Sequence, residues 1–405
     1  MYLKRPGRCR DIQRSVRTNY ASASQTGARV LWFVLSITQG NGVFHGTESG
    51  CSVCMHWRRE NVQPCAACLC RFSTPYSLAN GVTLSRPSPE HSRMTDPDLS
   101  VQVGRLSLAN PIMPASGTFG QGAEFADYGD LSELGAIVVK SLSAHPWAGN
   151  AAPRVLPLDE PDSMINAVGL PNPGVLRWSA SHLPALLRLG ARVVASVWGH
   201  TAEEFIEAAT LLAAVEGPIA WEINLSCPNL NRANELFAHN VVLLRQLLLE
   251  LRSVAGPGRQ MWAKLSPAVP DIVAIAAAAA EGSADAVTIA NTIPGMLVDI
   301  ERRQPALANG YGGVSGRIIH PVIVSLVYQV HMAIPSLPVV AAGGVFSGVD
   351  AIEFLMAGAS AVQVGTANFA DPRATHRVLN ELREWCRLHE TNPRDLIGAA
   401  QSPIR

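Results

Sequence analysis

Residues 220–229 read Ala-Trp-Glu-Ile-Asn-Leu-Ser-Cys-Pro-Asn. The apolar run from Ile219 to Leu225 has the length and character of a buried strand. It stops abruptly in Asn224, Ser226, Cys227 and Asn229, with Pro228 ending any regular structure. A cysteine among amides at the C-terminal end of a strand is poorly placed for packing. It is well placed to move a proton to or from a bound polar ligand. Upstream lie a helix-like segment, Ala202–Val215, and another apolar run, Arg192–Val197, so residues 192–229 read as one strand–helix–strand unit.

The same alternation extends outward in both directions. Strands are expected at Pro111–Pro114, Ala136–Val139, Arg192–Val197, Ala220–Leu225, Met261–Leu265, Ala286–Ala290, Pro338–Ala342 and Ala361–Val364. Between them fall helices at Ala202–Val215, Val241–Val254, Ile272–Glu281, Pro321–Met332 and Val349–Ala357. Eight repeats over about three hundred residues predict an α/β fold, a (β/α)8 TIM barrel over residues 94–405. A doubly wound open sheet is the rival architecture. The strand count and the polar residue closing nearly every strand favour the barrel.

Composition bounds the function. The 405 residues are 48% hydrophobic and 16% charged, with 32 basic and 32 acidic side chains. That suits a compact enzyme and argues against a nucleic-acid scaffold, which carries a basic excess. The apolar runs Val30–Ile37 and Ile272–Ala280 are too short to span a bilayer, so no membrane association is expected. The body of the chain holds two cysteines, Cys227 and Cys386, which fits a reducing cytoplasm.

Residues 1–93 differ from the rest. This segment is rich in Arg and Ser, poor in acids and without helical or strand period, and reads as an irregular, low-order N-terminal extension or a mispredicted start, with Met94 opening the domain. Cys51, Cys54, Cys65 and Cys68 follow a C-x2-C-x10-C-x2-C spacing, with Cys70 just after. In an ordered frame that spacing suits zinc. Here no pattern frames it, and no metal is assigned. The Arg-rich, acid-poor character also resembles a transit peptide.

In a barrel of this kind the active site forms at the C-terminal strand ends. Those ends carry Ala115, Ser116, Gly117 and Thr118 after the first strand, Lys140 and Ser141 after the second, and Ser196 after the third. Asn224 and Cys227 follow the fourth, Lys264 the fifth, Asn291 and Thr292 the sixth. Gly343-Gly344 and Gly365-Thr366 close the last two. A single lysine at a strand end is commonly snorkelling or paired. Two, converging with amides and a thiol, suit a planar ligand with anionic or electron-rich edges. The glycines after strands seven and eight suit a phosphate, since bare N–H groups can approach its oxygens. A Pro/Gly/Asn-rich loop at 166–174, after strand two, presents Asn166 and backbone groups.

These motifs, in order, resemble those of the dihydroorotate dehydrogenases from Leu99 to Pro372. Pro-Ala-Ser-Gly-Thr-Phe-Gly at 114–120 is similar to the family's first flavin loop, Asn-Ala-Val-Gly-Leu at 166–170 to its orotate loop, and Asn-Leu-Ser-Cys-Pro-Asn at 224–229 to its catalytic loop. Ala-Asn-Thr at 290–292, Gly-Gly-Val-Ser-Gly at 312–316 and Ala-Val-Gln-Val-Gly-Thr-Ala-Asn-Phe at 361–369 complete the series. Cysteine rather than serine at 227 resembles class 1, and the wording of several segments is most similar to type 1B. The resemblance implies oxidation of dihydroorotate to orotate in pyrimidine biosynthesis, with one FMN per chain. It implies a partner subunit carrying FAD and a 2Fe-2S cluster that passes electrons to NAD+, around a homodimer core or in a heterotetramer. Cys227 is implied as the base taking the C5 proton while the C6 hydride goes to FMN. Lys140, Asn166, Ala167, Val168, Gly169, Leu170, Asn224, Asn291 and Thr292 are implied around the substrate. Ser116, Lys140, Ser141, Ser196, Asn224, Lys264, Ala290, Gly316, Gly343, Gly344, Gly365 and Thr366 are implied around FMN. Two positions depart from the family pattern: Ser196 is shorter than the expected asparagine, and Ala290 replaces a larger aliphatic residue.

The residues alone leave the electron acceptor open between NAD+ through a partner and a fumarate-linked 1A-type reaction. Another FMN barrel acting on a pyrimidine is the nearest enzymatic rival. A tRNA dihydrouridine synthase would need a basic face and an RNA-binding domain. A dihydropyrimidine dehydrogenase would need appended cluster and nucleotide domains. A catalytically dead barrel should have lost Cys227, Lys140 or Lys264. Cys386 and the histidines at 145, 182, 200, 239 and 320 read as structural.

Overall fold

The computed structural model describes residues 96–226 and 237–401, with the backbone of three short strands between 42 and 64. The chain forms two compact units, residues 1–88 and 89–405. In the first, Gly42–Glu48, Cys51–Arg58 and Asn61–Pro64 pair as an antiparallel meander. The sequence showed no strand period there, because segments such as His-Gly-Thr-Glu at 45–48 do not alternate apolar with polar. Their pairing is signalled only by strand ends two residues apart around Ser49-Gly50. Cys65 and Cys68, on which the zinc reading depends, lie outside the described residues.

The second unit is the expected barrel. Eight parallel strands, β1 (Ile112–Pro114), β2 (Ile137–Val138), β3 (Val193–Val197), β4 (Ala220–Asn224), β5 (Gln260–Lys264), β6 (Ala286–Ile289), β7 (Val339–Ala342) and β8 (Ala361–Val364), pair in cyclic order. Closure between β1 and β2 comes from the Gly135 N–H, which donates to the Ile112 carbonyl at 2.8 Å. Every residue of β3, β4 and β5 is buried, as expected for strands covered on both faces. Trp221 and Ile223 of β4 pack outward in the core shared with the helices, while Ala220 belongs to the apolar plug inside the barrel's lower end. The alternation leaves Glu222 and Asn224 for the interior.

The helices begin where side-chain caps satisfy their free N–H groups. Thr201 caps α1 (Ala202–Ala213), Asn240 caps α2 (Val241–Ala255), and Asp271 caps α3 (Ile272–Glu281). Helix α4 (His320–Ala333) follows β6, and Ser347 with Asp350 forms a capping box on α5 (Gly348–Ala357). Leu244, Leu247, Leu248 and Leu251 make the buried stripe of α2, at helical spacing. The alanine run of α3 lets the two helices approach closely: a methyl on Gly282 would sit 2.8 Å from Leu248 Cβ. Helix α6 (Ala374–Leu388) ends the barrel and buries Cys386, whose thiol is pushed up to about 11 chiefly by burial. That is the packing role expected of it.

The lower end of the barrel is shut. A hairpin, Val101–Val103 with Leu106–Leu108, inserts Val101, Val103 and Leu108 against Met113, Val194 and Trp262. The upper end carries an element that the strand–helix alternation does not mark. Ile293–Gly295, Gly312–Gly316, Ser163–Asn166 and Val155–Pro157 form an accessory antiparallel sheet. Asn166 is thus the last residue of a strand, whose burial alternates along Ser163–Asn166.

A methyl on Gly135 would sit 2.2 Å from the Asn110 carbonyl oxygen. Gly135→Ala should therefore strain the closing seam by about 1–3 kcal/mol and lower the urea midpoint. Gly258→Ala, where the methyl meets nothing within 4 Å, should leave the midpoint unchanged.

Candidate active site

The open upper end of the barrel holds a cavity of about 690 Å³ between the strand ends and the accessory sheet. That is within the size range of small-molecule sites. Of the residues singled out in the sequence, the cavity gathers Ser116, Lys140, Ser141, Asn166, Val168, Gly169, Leu170, Asn224, Lys264, Ala290, Asn291, Thr292, Gly316, Gly343, Gly344, Gly365 and Thr366. Elements separated by up to 250 residues converge here because each is a strand end or an accessory-sheet strand.

The floor is charged. Lys264, at the end of β5, places Nζ 3.4 Å from Glu222 Oε1 and donates to Ser116 Oγ at 3.1 Å. Glu222 is fully buried, and its Oε2 accepts from Thr288 Oγ1 at 3.0 Å and Gln363 Nε2 at 2.7 Å. A buried pair of this kind holds only when its remaining lone pairs are satisfied; removing one partner leaves a buried charge uncompensated.

A chain of hydrogen bonds runs along one wall. Ser196 and Ser141 share a hydroxyl–hydroxyl bond of 2.8 Å, and Asn224 Nδ2 donates to Ser141 Oγ at 3.1 Å. Ser226 Oγ donates to Asn224 Oδ1 at 2.9 Å, Asn291 Nδ2 to Ser226 Oγ at 2.8 Å, and the Thr292 N–H to Asn291 Oδ1 at 2.8 Å. Each side chain fixes the next, so the amide groups are held in set orientations for a ligand.

Lys140 stands apart. Among the described residues its ammonium has neither an ion pair nor a hydrogen bond. Burial first, and then the nearby Arg154 charge, holds its pKa below that of an ordinary lysine. A desolvated cation with no protein partner is built to receive an anion.

The glycine-rich side offers close backbone of the kind an FMN phosphate needs. Gly316 and Gly344 have φ of 106° and 69°, and methyls there would sit 2.1 Å from the Asp162 carbonyl oxygen and 2.6 Å from His320 Cβ. Only glycine permits that backbone so close to its neighbours. A methyl at Gly365 would meet nothing nearer than Ala115 Cβ at 3.7 Å, so the missing side chain opens onto the cavity. The N–H groups of Gly344, Gly365 and Thr366 have no protein acceptor among the described residues. On the floor, Gln363 Oε1 is buried and unpartnered. Free N–H donors at one end, and an orphan acceptor beside a cation at the other, fit a group with a phosphate and a polar ring edge. The residues fit FMN.

The structure places two of the residues named from the sequence away from the cavity wall. Ala167 does not line the cavity: it is buried with Ile165 and Leu307, its carbonyl accepts from Asn150 Nδ2 at 2.9 Å and its N–H donates to Arg154. The alternation along the strand turns it from the face that Asn166 and Val168 share. Ser196 is fully buried behind Ser141, so it supports the wall and does not line it. Cys227 lies outside the described residues. Sequence reading assigns no individual role to Glu222, Gln363, Ser226 or Ser315, the last of which accepts from Thr366 Oγ1 at 2.9 Å. Only a charge inside an apolar strand, Glu222 between Trp221 and Ile223, could have signalled the first.

Comparison with known proteins agrees with this geometry. Residues 98–386 match the family model described as dihydroorotate dehydrogenase. The chain is 42% identical over 309 residues to the "Dihydroorotate dehydrogenase B (NAD(+)), catalytic subunit" of Geobacter sp. (strain M21), covering 76% of this chain and 100% of that protein. The protein of the same description from Solidesulfovibrio magneticus is 45% identical over 285 residues, covering 70% of this chain and 92% of its own. The match spans the barrel and its accessory sheet, the two elements that build the cavity. The chain belongs to the dihydroorotate dehydrogenase family.

Proposed function

We propose that this chain oxidises dihydroorotate to orotate as an NAD+-linked, type 1B catalytic subunit. The single observation that carries the reading is the contrast between the two cavity lysines. Lys264 is compensated by Glu222, which suits a neutral ring edge. Lys140 is uncompensated, which suits a carboxylate. The cavity therefore offers places for a flavin and for an anionic pyrimidine.

FMN, when bound, supplies the acceptor for the hydride leaving C6 of the substrate. Gly344, Gly365 and Thr366 would hold its phosphate through their free N–H groups, and Lys264, Ser116 and Gln363 would meet its ring. Asn224 and Asn291, fixed through Ser226 and Ser141, orient the pyrimidine amides, and Lys140 takes the carboxylate. Asn166, whose Nδ2 donates to the Gly313 carbonyl at 3.2 Å, and the backbone of Val168 to Leu170 cover the ligand from the accessory sheet. The C5 proton passes to the Cys227 thiolate. A partner subunit with FAD and a 2Fe-2S cluster would supply the onward route for the electrons to NAD+. Among the described residues no helix is long and apolar enough to cross a membrane.

Cys227→Ala should slow orotate formation by roughly 10²–10⁴-fold, the usual contribution of a positioned base, at unchanged FMN content. An active, FMN-replete variant would remove Cys227 from this role.

Orotate binding should depend on pH through Lys140. The ammonium binds the carboxylate, and its lowered pKa means that it is lost at lower pH than an ordinary lysine. Affinity should therefore fall as pH rises, starting below the ordinary lysine range near 10.4. Lys140→Met should weaken binding by roughly 10- to 100-fold and flatten this dependence. An orotate titration monitored by flavin absorbance from pH 6 to 10 reads both.

A further inference from the structure

Glu222 is, among the described residues, the one acidic side chain buried from solvent, and the proton and hydride transfers make no direct use of it. Its two oxygens are divided. Oε1 faces Lys264 Nζ at 3.4 Å; Oε2 accepts from Thr288 Oγ1 at 3.0 Å and Gln363 Nε2 at 2.7 Å. A carboxylate only accepts hydrogen bonds. Gln363 must therefore turn its NH2 toward Glu222, which leaves Gln363 Oε1 as the buried acceptor without a protein partner. That side chain lines the cavity. An orphan acceptor in such a place points to an N–H on the bound ring.

The same carboxylate offsets the Lys264 charge. In a water-poor floor the field of an ammonium is strong, and by itself it would favour the reduced, more negative form of a bound flavin. A carboxylate directly behind it subtracts from that field. We propose that Glu222 is a positioning residue that sets the redox poise of the bound flavin: it neutralises Lys264 and fixes the Gln363 oxygen toward the ring. The consequence is a flavin that stays a strong reductant, as delivery of electrons to a nicotinamide requires. This rests on the FMN reading above and deepens it.

The test is the midpoint potential of bound FMN at pH 7 in wild type, Glu222→Gln, Thr288→Val and the exchange Glu222→Gln/Gln363→Glu. Glu222→Gln should favour flavin reduction by at least tenfold, a rise of 29.6 mV for a two-electron couple. Thr288→Val removes a hydrogen bond and keeps the charge, so it should stay within that limit. The exchange variant returns a carboxylate to the floor and should bring the potential back toward wild type. It also decides the matter if the single Gln variant fails to hold flavin. A Glu222→Gln potential that falls, or rises by less than 29.6 mV, overturns the proposal. So does a Thr288→Val rise as large as that of Glu222→Gln, which would mark a purely structural role, or an FMN-replete exchange variant 29.6 mV or more above wild type. A wild-type chain that retains no FMN instead overturns the FMN reading itself.

Discussion

A charge placed in a strand that is covered on both faces has to be answered within the protein. Glu222 in β4 is such a charge, and the floor of the cavity is the answer to it. Lys264 comes from β5, Thr288 from β6 and Gln363 from β8. Three strands thus converge on a carboxylate carried by a fourth. Below this layer the barrel is filled with apolar side chains from Met113, Trp262, Val340 and their neighbours; above it lies the cavity. The pair marks the level at which packing stops and chemistry begins.

That arrangement separates two cations that the sequence alone presents as equals. Both lysines end apolar strands. Lys264 is held by a carboxylate and a hydroxyl, so its charge is largely spent on the protein. Lys140 has no such partner among the described residues and carries a lowered pKa. In the proposed function the interior cost of Lys140 is met when the substrate carboxylate binds. Between the two lysines, the serine–asparagine chain from Ser196 to Thr292 fixes polar groups that cannot rotate independently.

Much of this was legible in the amino-acid order. Strand ends such as Asn224, Lys264 and Gly365 stood out because a polar or glycine residue broke an apolar run. The expected starts of α1, α2 and α3 at Ala202, Val241 and Ile272 are the observed ones. What stayed hidden depended on inward-facing partners. Glu222 looked like one residue of a strand until Lys264 and Gln363 were seen around it. Ser196 read as a lining residue because its end of β3 points the right way, yet Ser141 lies in front of it. Ala167 was grouped with Asn166 because the motif is contiguous, whereas alternation along a strand sends neighbours to opposite faces. The accessory sheet escaped notice because its strands are short, glycine-rich and far apart in sequence.

In the proposed function the cavity above the Glu222 layer brings a flavin and dihydroorotate together. Anaerobic addition of dihydroorotate to the purified, FMN-loaded chain tests it most directly. The flavin absorbance should bleach with about one equivalent, and one orotate should appear for each flavin reduced. Absorbance that stays unchanged in a protein retaining its FMN would contradict it.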